Sequence, residues 1–177
     1  MTRILTAPQV ERALGRLYKA LVEALPEAGR VAIIGIRTRG ETLASRIVER
    51  LRAEREDLDI QHGVLDITFY RDDLSRRRGA PLVRATEIDF DIDDTFVVLV
   101  DDVIHTGRSV RAALDALHDF GRPKVIRLAV LVDRGGRELP IAADLVGRRV
   151  SAPNTKRVQV RLKENDGEEG VFLINRF

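Results

Sequence analysis

The segment Val97-Val98-Leu99-Val100-Asp101-Asp102-Val103-Ile104-His105-Thr106-Gly107-Arg108-Ser109 holds the densest chemistry in the chain. An apolar run of strand type delivers two adjacent carboxylates to its carboxyl end, where open α/β sheets bind ligands, and a Thr-Gly-Arg-Ser turn then opens a helix. Backbone N–H groups of such a turn, the hydroxyls of Thr106 and Ser109 and the positive end of the helix dipole all suit a phosphate. Gly107 lets the backbone approach closely. Asp101 and Asp102 repel a phosphate but accept hydrogen bonds from vicinal ribose hydroxyls, so one motif reads both ends of a ribose 5-phosphate. The acid pair alone reads more readily as the start of a polar loop after a strand; the full pattern of 13 residues reverses that and carries the sugar-phosphate reading.

A second loop, Gly35-Ile36-Arg37-Thr38-Arg39-Gly40, also lies between a strand and a helix. Its glycine spacing is that of a P-loop, but Glu41-Thr42 stands where Lys-Ser/Thr is required, which argues against nucleoside triphosphate hydrolysis. The two arginines flanking Thr38 still suit an anion. Taken singly, these residues are an ordinary solvated turn.

The elements that must position both loops follow from hydrophobic periodicity. Thr6-Ala7-Pro8-Gln9 has the form of a capping box, and Val10, Leu14, Leu17, Leu21 and Leu25 follow at helical spacing up to Pro26. Val31 to Gly35 is a short continuous apolar run of the kind buried in parallel sheets, with Leu43, Ile47 and Leu51 at helical spacing behind it. Phe96 to Val100 repeats that arrangement ahead of Val110, Leu114 and Leu117, and Val125 to Val132 supplies a third strand. The alternation predicts an α/β fold, a doubly wound parallel sheet. Val64 to Tyr70 reads as a further strand entering a long polar segment, Arg71 to Glu87, of the length and polarity of a functional lid. Val158 to Leu162 and Val171 to Ile174 read as a hairpin turned at Asn165-Asp166-Gly167, part of a small lobe.

At 177 residues, 44% hydrophobic and 33% charged, the chain has the size and composition of one globular domain, and no apolar run reaches membrane-spanning length. The absence of cysteine excludes disulfides and thiolate chemistry, and the Met1-Thr2-Arg3-Ile4-Leu5 start is unlike a secretory signal, so a cytoplasmic protein is expected. Lysine occurs only at Lys19, Lys124, Lys156 and Lys163, so the basic charge is nearly all arginine. That bias suits phosphate or RNA, but genome composition or growth at high temperature explains it more readily, so the positions of the arginines matter more than their number.

The 13-residue motif resembles the phosphoribosyl pyrophosphate motif of type I phosphoribosyltransferases. Asp66 to Ser75 and Leu131 to Ile141 are similar to signature segments of the bacterial pyrimidine operon regulators within that class, a similarity running from about Thr6 to Val171. The resemblance implies a type I phosphoribosyltransferase fold over residues 1–177 with a small C-terminal hood formed mainly by about 134–177. It implies conversion of uracil and phosphoribosyl pyrophosphate to UMP and pyrophosphate, with Mg held mainly through substrate rather than at a protein metal site. It also implies UMP-responsive binding of pyrimidine-gene mRNA and a homo-dimer or tetramer.

By the same resemblance, Asp101, Asp102 and Arg71 form the catalytic set. Arg37, Thr38, Arg39 and Gly40 hold pyrophosphate, while Val103, Ile104, His105, Thr106, Gly107, Arg108 and Ser109 hold the ribose phosphate. Asp133, Arg134 and Val158 lie beside the base, though Val158 reads equally as a plain core valine of the hood. Arg16 is the retained member of the family's RNA-contacting helix, with Gly15 and Lys19 departing from its pattern; Arg148, Arg149, Lys156 and Arg157 add charge. Gly136 stands where the family usually carries His, Ala143 where it often carries Arg, and His105 where an aromatic is common. Two rivals stay open: a purine phosphoribosyltransferase, which the Asp133 to Ile141 segment disfavours, and a non-catalytic RNA-binding regulator that only senses UMP.

Overall fold

A computed structural model of the protein describes residues 1–73 and 85–176. Most of the expected lid, 74–84, therefore lies outside the described residues. The elements run β1 (Thr2–Leu5), α1 (Ala7–Ala24), β2 (Gly29–Ile36), α2 (Arg39–Glu54), β3 (Leu58–Leu65), a 3-10 turn (Thr68–Tyr70), β4 (Phe96–Ile104), α3 (Arg108–His118), β5 (Val125–Asp133), β6 (Leu145–Arg149), β7 (Lys156–Arg161), α4 (Lys163–Asp166) and β8 (Gly170–Asn175).

β3, β2, β4, β5 and β6 form a parallel sheet in that order. Successive residues of its strands serve opposite faces, as the pleat demands. Val31 and Ile33 of β2 pack with Val10, Leu17 and Leu21 of α1 and Leu43, Ile47 and Leu51 of α2, whereas Ala32 and Ile34 pack with Val110, Ala113 and Leu117 of α3. Helices thus cover both faces, the doubly wound arrangement expected from the periodicity. The helix starts are also as read: in α1, Gln9 Oε1 accepts from the Thr6 N–H at 2.8 Å, and Pro8 sits in the first turn.

A second sheet of three antiparallel strands has the order β1-β8-β7. Its two long strands are the expected hairpin, but the turn contains the short helix α4 and ends on Gly167 in left-handed conformation. The segment after residue 134 is divided between the sheets, with β6 on the edge of the large one, and the small sheet takes its third strand from the N-terminus. Leu5, Val160, Leu162 and Val171 belong to the same buried cluster as α1 and α2, so the small sheet closes that core.

The strand expected at Val64 to Tyr70 is corrected. β3 begins earlier, at Leu58, and stops at Leu65. Asp66 Oδ1 accepts from both the N–H and the hydroxyl of Thr68, an Asx turn that diverts the chain from the sheet into the 3-10 turn.

Candidate active site

The carboxyl ends of β2, β3 and β4 meet around a cavity of about 500 Å³ lined by residues 36–39, 66–68, 71, 101–103 and 109. A smaller cavity of about 250 Å³ shares Arg71, Val103 and Ser109 with it and adds Ile104, His105, Thr106, Gly107, Val110 and Arg176. The two expected loops, far apart in sequence, therefore face one another because β2 and β4 are neighbours in register, with Gly35 beside Val100.

Asp101 is 8% exposed and Asp102 half-buried. Asp101 Oδ1 accepts from the Asp102 N–H at 2.9 Å, and Asp102 Oδ1 accepts from the Val103 N–H at 2.8 Å. Burial, and then the neighbouring Asp102 charge, push the Asp101 carboxyl well above the ordinary aspartate range. Burial also raises Asp102, against hydrogen bonds and the Arg39 charge that lower it. Two adjacent carboxylates this poorly exposed are costly when both are charged, a cost that hydrogen-bond donors or a cation reaching the cavity would offset.

β4 ends at Ile104, and after it Gly107, at φ 94°, turns the chain into α3. Thr106 Oγ1 accepts from the Arg108 N–H at 3.3 Å, and Thr106, Gly107, Ser109 and Val110 line the smaller cavity, so α3 begins beside it. The Arg108 side chain turns away to Glu138 at 2.8 Å and Asp72 at 2.5 Å, outside both linings.

In the opposing loop, Arg37 and Arg39 line the larger cavity and are also engaged by other parts of the chain. Arg37, its side chain 13% exposed, binds Glu41 at 2.8 Å, Glu87 at 3.1 Å and the Ala85 carbonyl at 2.9 Å. Arg39 makes a two-pronged pair with Asp166 of α4 at 2.6 and 3.1 Å, which raises its already high pKa. Both therefore fasten the loop, one to the returning segment at 85–87 and one to the small sheet. Gly40 is buried: a Cβ there would stand 2.5 Å from the Val100 carbonyl oxygen, so α2 begins in direct backbone contact with the middle of β4.

Arg71 lines both cavities, with a salt bridge to Asp73 at 2.9 Å that raises its pKa. Asp133 and Arg134 line a third cavity of about 460 Å³ with Arg149 and residues 150–152 and 154. Asp133 accepts from Arg137 at 2.8 Å and from the Gly135 N–H at 2.9 Å. Val158 is not among the residues lining these cavities; it pairs with Leu173 in the small sheet and packs on the main core.

Of the residues expected to meet RNA, Arg16 and Arg148 converge with Arg12 and Gln9 on a small cleft between α1 and β6, where Arg16 Nε donates to the Gly147 carbonyl at 3.1 Å. Arg149 is at the third cavity, Lys19 and Arg157 are exposed, and Lys156 is bonded to Asn175. Sequence reasoning missed Asp66, Ile67 and Thr68 as cavity residues, having read them as strand, and missed Arg12 and Arg176. The Asp-x-Thr spacing of an Asx turn was the available signal at Asp66; nothing local marks Arg176.

The fold and this site define a phosphoribosyltransferase. The phosphoribosyl transferase domain family matches residues 1–164, and the fold is that of a hypoxanthine-guanine phosphoribosyltransferase from Bacillus anthracis, with a TM-score of 0.72 at 15% identity over 98% of both chains. A hypoxanthine phosphoribosyltransferase from Trypanosoma cruzi superposes with a TM-score of 0.68 at 13% identity over 99% of this chain and 90% of the other. The sequence is 52% identical over 170 residues to the bifunctional protein PyrR of Deinococcus deserti (96% of this chain, 92% of the relative) and 51% identical over 173 residues to that of Thermus thermophilus (98% and 95%). The chain belongs to the bifunctional PyrR family of phosphoribosyltransferases.

Proposed function

We propose that the protein transfers the phosphoribosyl group of phosphoribosyl pyrophosphate to uracil, giving UMP and pyrophosphate, and regulates pyrimidine genes by binding their mRNA in response to UMP. The observation that carries the enzymatic half is the Asp101-Asp102 pair lining a cavity that shares Arg71, Val103 and Ser109 with the one at the first turn of α3, in a chain about half identical to bifunctional PyrR proteins. Asp101 and Asp102 accept hydrogen bonds from the ribose 2- and 3-hydroxyls, and the turn from Thr106 to Ser109 holds the 5-phosphate. Thr38 and the backbone around it face the pyrophosphate. The bond from C1 to the pyrophosphate oxygen breaks with oxocarbenium character, the bond from C1 to uracil N1 forms, and the N1 proton passes to the departing pyrophosphate or to water. Catalysis then rests on positioning and on stabilising charge on the departing pyrophosphate, with no covalent nucleophile.

Magnesium fits this donor set. The Asp101 and Asp102 carboxylates, side by side on the larger cavity, would offer such a cation oxygen ligands, with substrate and water supplying the rest, the usual habit of this ion. When bound it neutralises pyrophosphate charge.

The direct test is transfer of radiolabelled uracil to UMP with phosphoribosyl pyrophosphate and Mg. Turnover with uracil and none with hypoxanthine or guanine is expected; the reverse preference overturns the pyrimidine assignment.

The regulatory half rests on family membership and on the Arg12, Arg16 and Arg148 cleft, which has the charge to seat an RNA phosphate. The Arg16→Ala, Arg148→Ala variant is expected to bind leader RNA about tenfold more weakly, with a salt slope shallower by about 1, while uracil transfer is unchanged. UMP is expected to tighten RNA binding, and RNA to tighten UMP binding by the same factor. A filter-binding titration in which UMP has no effect removes the regulatory half. A cytoplasmic location and a dimer or tetramer belong to the same reading; no helix among the described residues is long and apolar enough to cross a membrane.

A further inference from the structure

Two hydrogen-bond donors face each other at the smaller cavity without satisfying one another. Arg134, 6% exposed, points Nη1 at His105 Nε2 across 2.5 Å, and its Nη2 donates to the Ala152 carbonyl at 2.9 Å. A guanidinium donates and never accepts, so Nε2 must carry the lone pair and a neutral His105 must carry its proton on Nδ1. Neutrality is favoured: burial, and then the charges of Arg134 and Arg176, push the His105 pKa down, with only Glu138 opposing. Gly136 closes one side of the ring, where a Cβ would stand 3.1 Å from Nε2, so the imidazole is seated rather than free to swing.

On the far edge of the ring, Arg176 Nη2 lies 3.4 Å from Nδ1. N–H faces N–H. Arg176 is otherwise held by its backbone N–H to the Thr155 carbonyl at 3.0 Å and by a long contact to the Asn154 carbonyl at 3.4 Å; among the described residues no carboxylate pairs with it. Both donors line the cavity that Thr106, Gly107 and Ser109 also line. An acceptor oxygen placed against Nδ1 and the guanidinium resolves the conflict. A neutral carbonyl would leave the Arg176 charge uncompensated, whereas an anionic oxygen compensates it and continues the donor surface of the turn.

We infer that His105 and Arg176 together bind an oxygen of the nucleotide's phosphate, making Arg176 a phosphate-recognition residue supplied by the chain beyond β8. This deepens the nucleotide reading above and rests on it.

The test is binding of UMP and of uridine to wild type, Arg176→Gln, Arg176→Lys and His105→Phe, followed by NMR titration. Arg176→Gln is expected to weaken UMP about tenfold and leave uridine unchanged, since a hydrogen bond to a charged group is worth about one decade or more. Arg176→Lys is expected to recover most of the loss, and His105→Phe to weaken UMP by a smaller, equally phosphate-specific factor. Unchanged UMP affinity in Arg176→Gln overturns the inference, and an equal loss for uridine overturns the phosphate in favour of the base. Wild-type protein that binds no UMP sinks the nucleotide reading itself, whereas wild-type binding with an unaffected Arg176→Gln variant sinks only this pair.

Discussion

Replacing both acids, Asp101→Asn with Asp102→Asn, is expected to lower uracil transfer by about three orders of magnitude while leaving a folded protein that is at least as stable at neutral pH. The loss follows from removing charged acceptors at the reacting sugar, where single preorganised polar groups are worth about 10² to 10³ in rate. The stability gain follows from the pKa. The Asp101 carboxyl is raised by burial and by Asp102, so between the ordinary aspartate value and its own the folded state holds a proton that the unfolded state has lost. Stability therefore falls as pH rises through that window, so the raised pair costs stability at neutral pH. Amides of the same shape remove that cost, although their carbonyl oxygens must still accept from the backbone N–H groups that the two aspartates now serve. Thermal melts at pH 7 should show the variant equal to or above wild type, with the difference shrinking toward pH 4. Near-normal turnover by the folded variant would remove the proposed role of the pair.

Gly40→Ala is expected to cut activity about a hundredfold and lower the melting temperature by about 5 °C. Position 40 lies inside α2, where helix propensity alone favours alanine by roughly 0.5–1 kcal/mol. Against this, the added Cβ meets the Val100 carbonyl oxygen at 2.5 Å and the Asp101 Cα at 3.2 Å. Both are backbone atoms of the central strand and cannot rotate away, so overpacking of about 1–3 kcal/mol outweighs propensity. Relief comes by moving the Arg37 to Gly40 loop away from the acids, and a shift of about 1 Å at a reacting centre costs on the order of 10² in rate. Alanine at the solvent-facing Gly15, where a Cβ meets nothing within 4 Å, is the control and should be neutral or stabilising. Unaltered kinetics and melting in Gly40→Ala would show that the loop does not depend on this contact.

The sequence by itself determined the β-loop-α units, the doubly wound sheet and the strand-acid-acid-turn-helix motif, because each is written locally. Buried parallel strands need continuous apolar runs such as Val31 to Ile34 and Val97 to Val100, helices need apolar residues every third or fourth position, and the tight turn from β4 into α3 needs Gly107 at a positive φ. Short or exposed elements were not legible. β1 has four residues and β6 ends in two exposed arginines, so each is a strand only because an edge was there to pair with. Val64 to Tyr70 carries strand-like residue types, yet the Asx turn at Asp66 overrides them. The partners of the arginines lay furthest from view. Arg39 and Asp166 are 127 residues apart, Arg37 and Glu87 are 50 apart, and Arg176 and His105 are 71 apart. Whether a guanidinium grips a ligand or fastens a loop depends on which acid or ring the tertiary fold brings within about 3 Å, because a charge-assisted hydrogen bond is decided by that distance and by burial, and neither is a property of neighbouring residues in the chain.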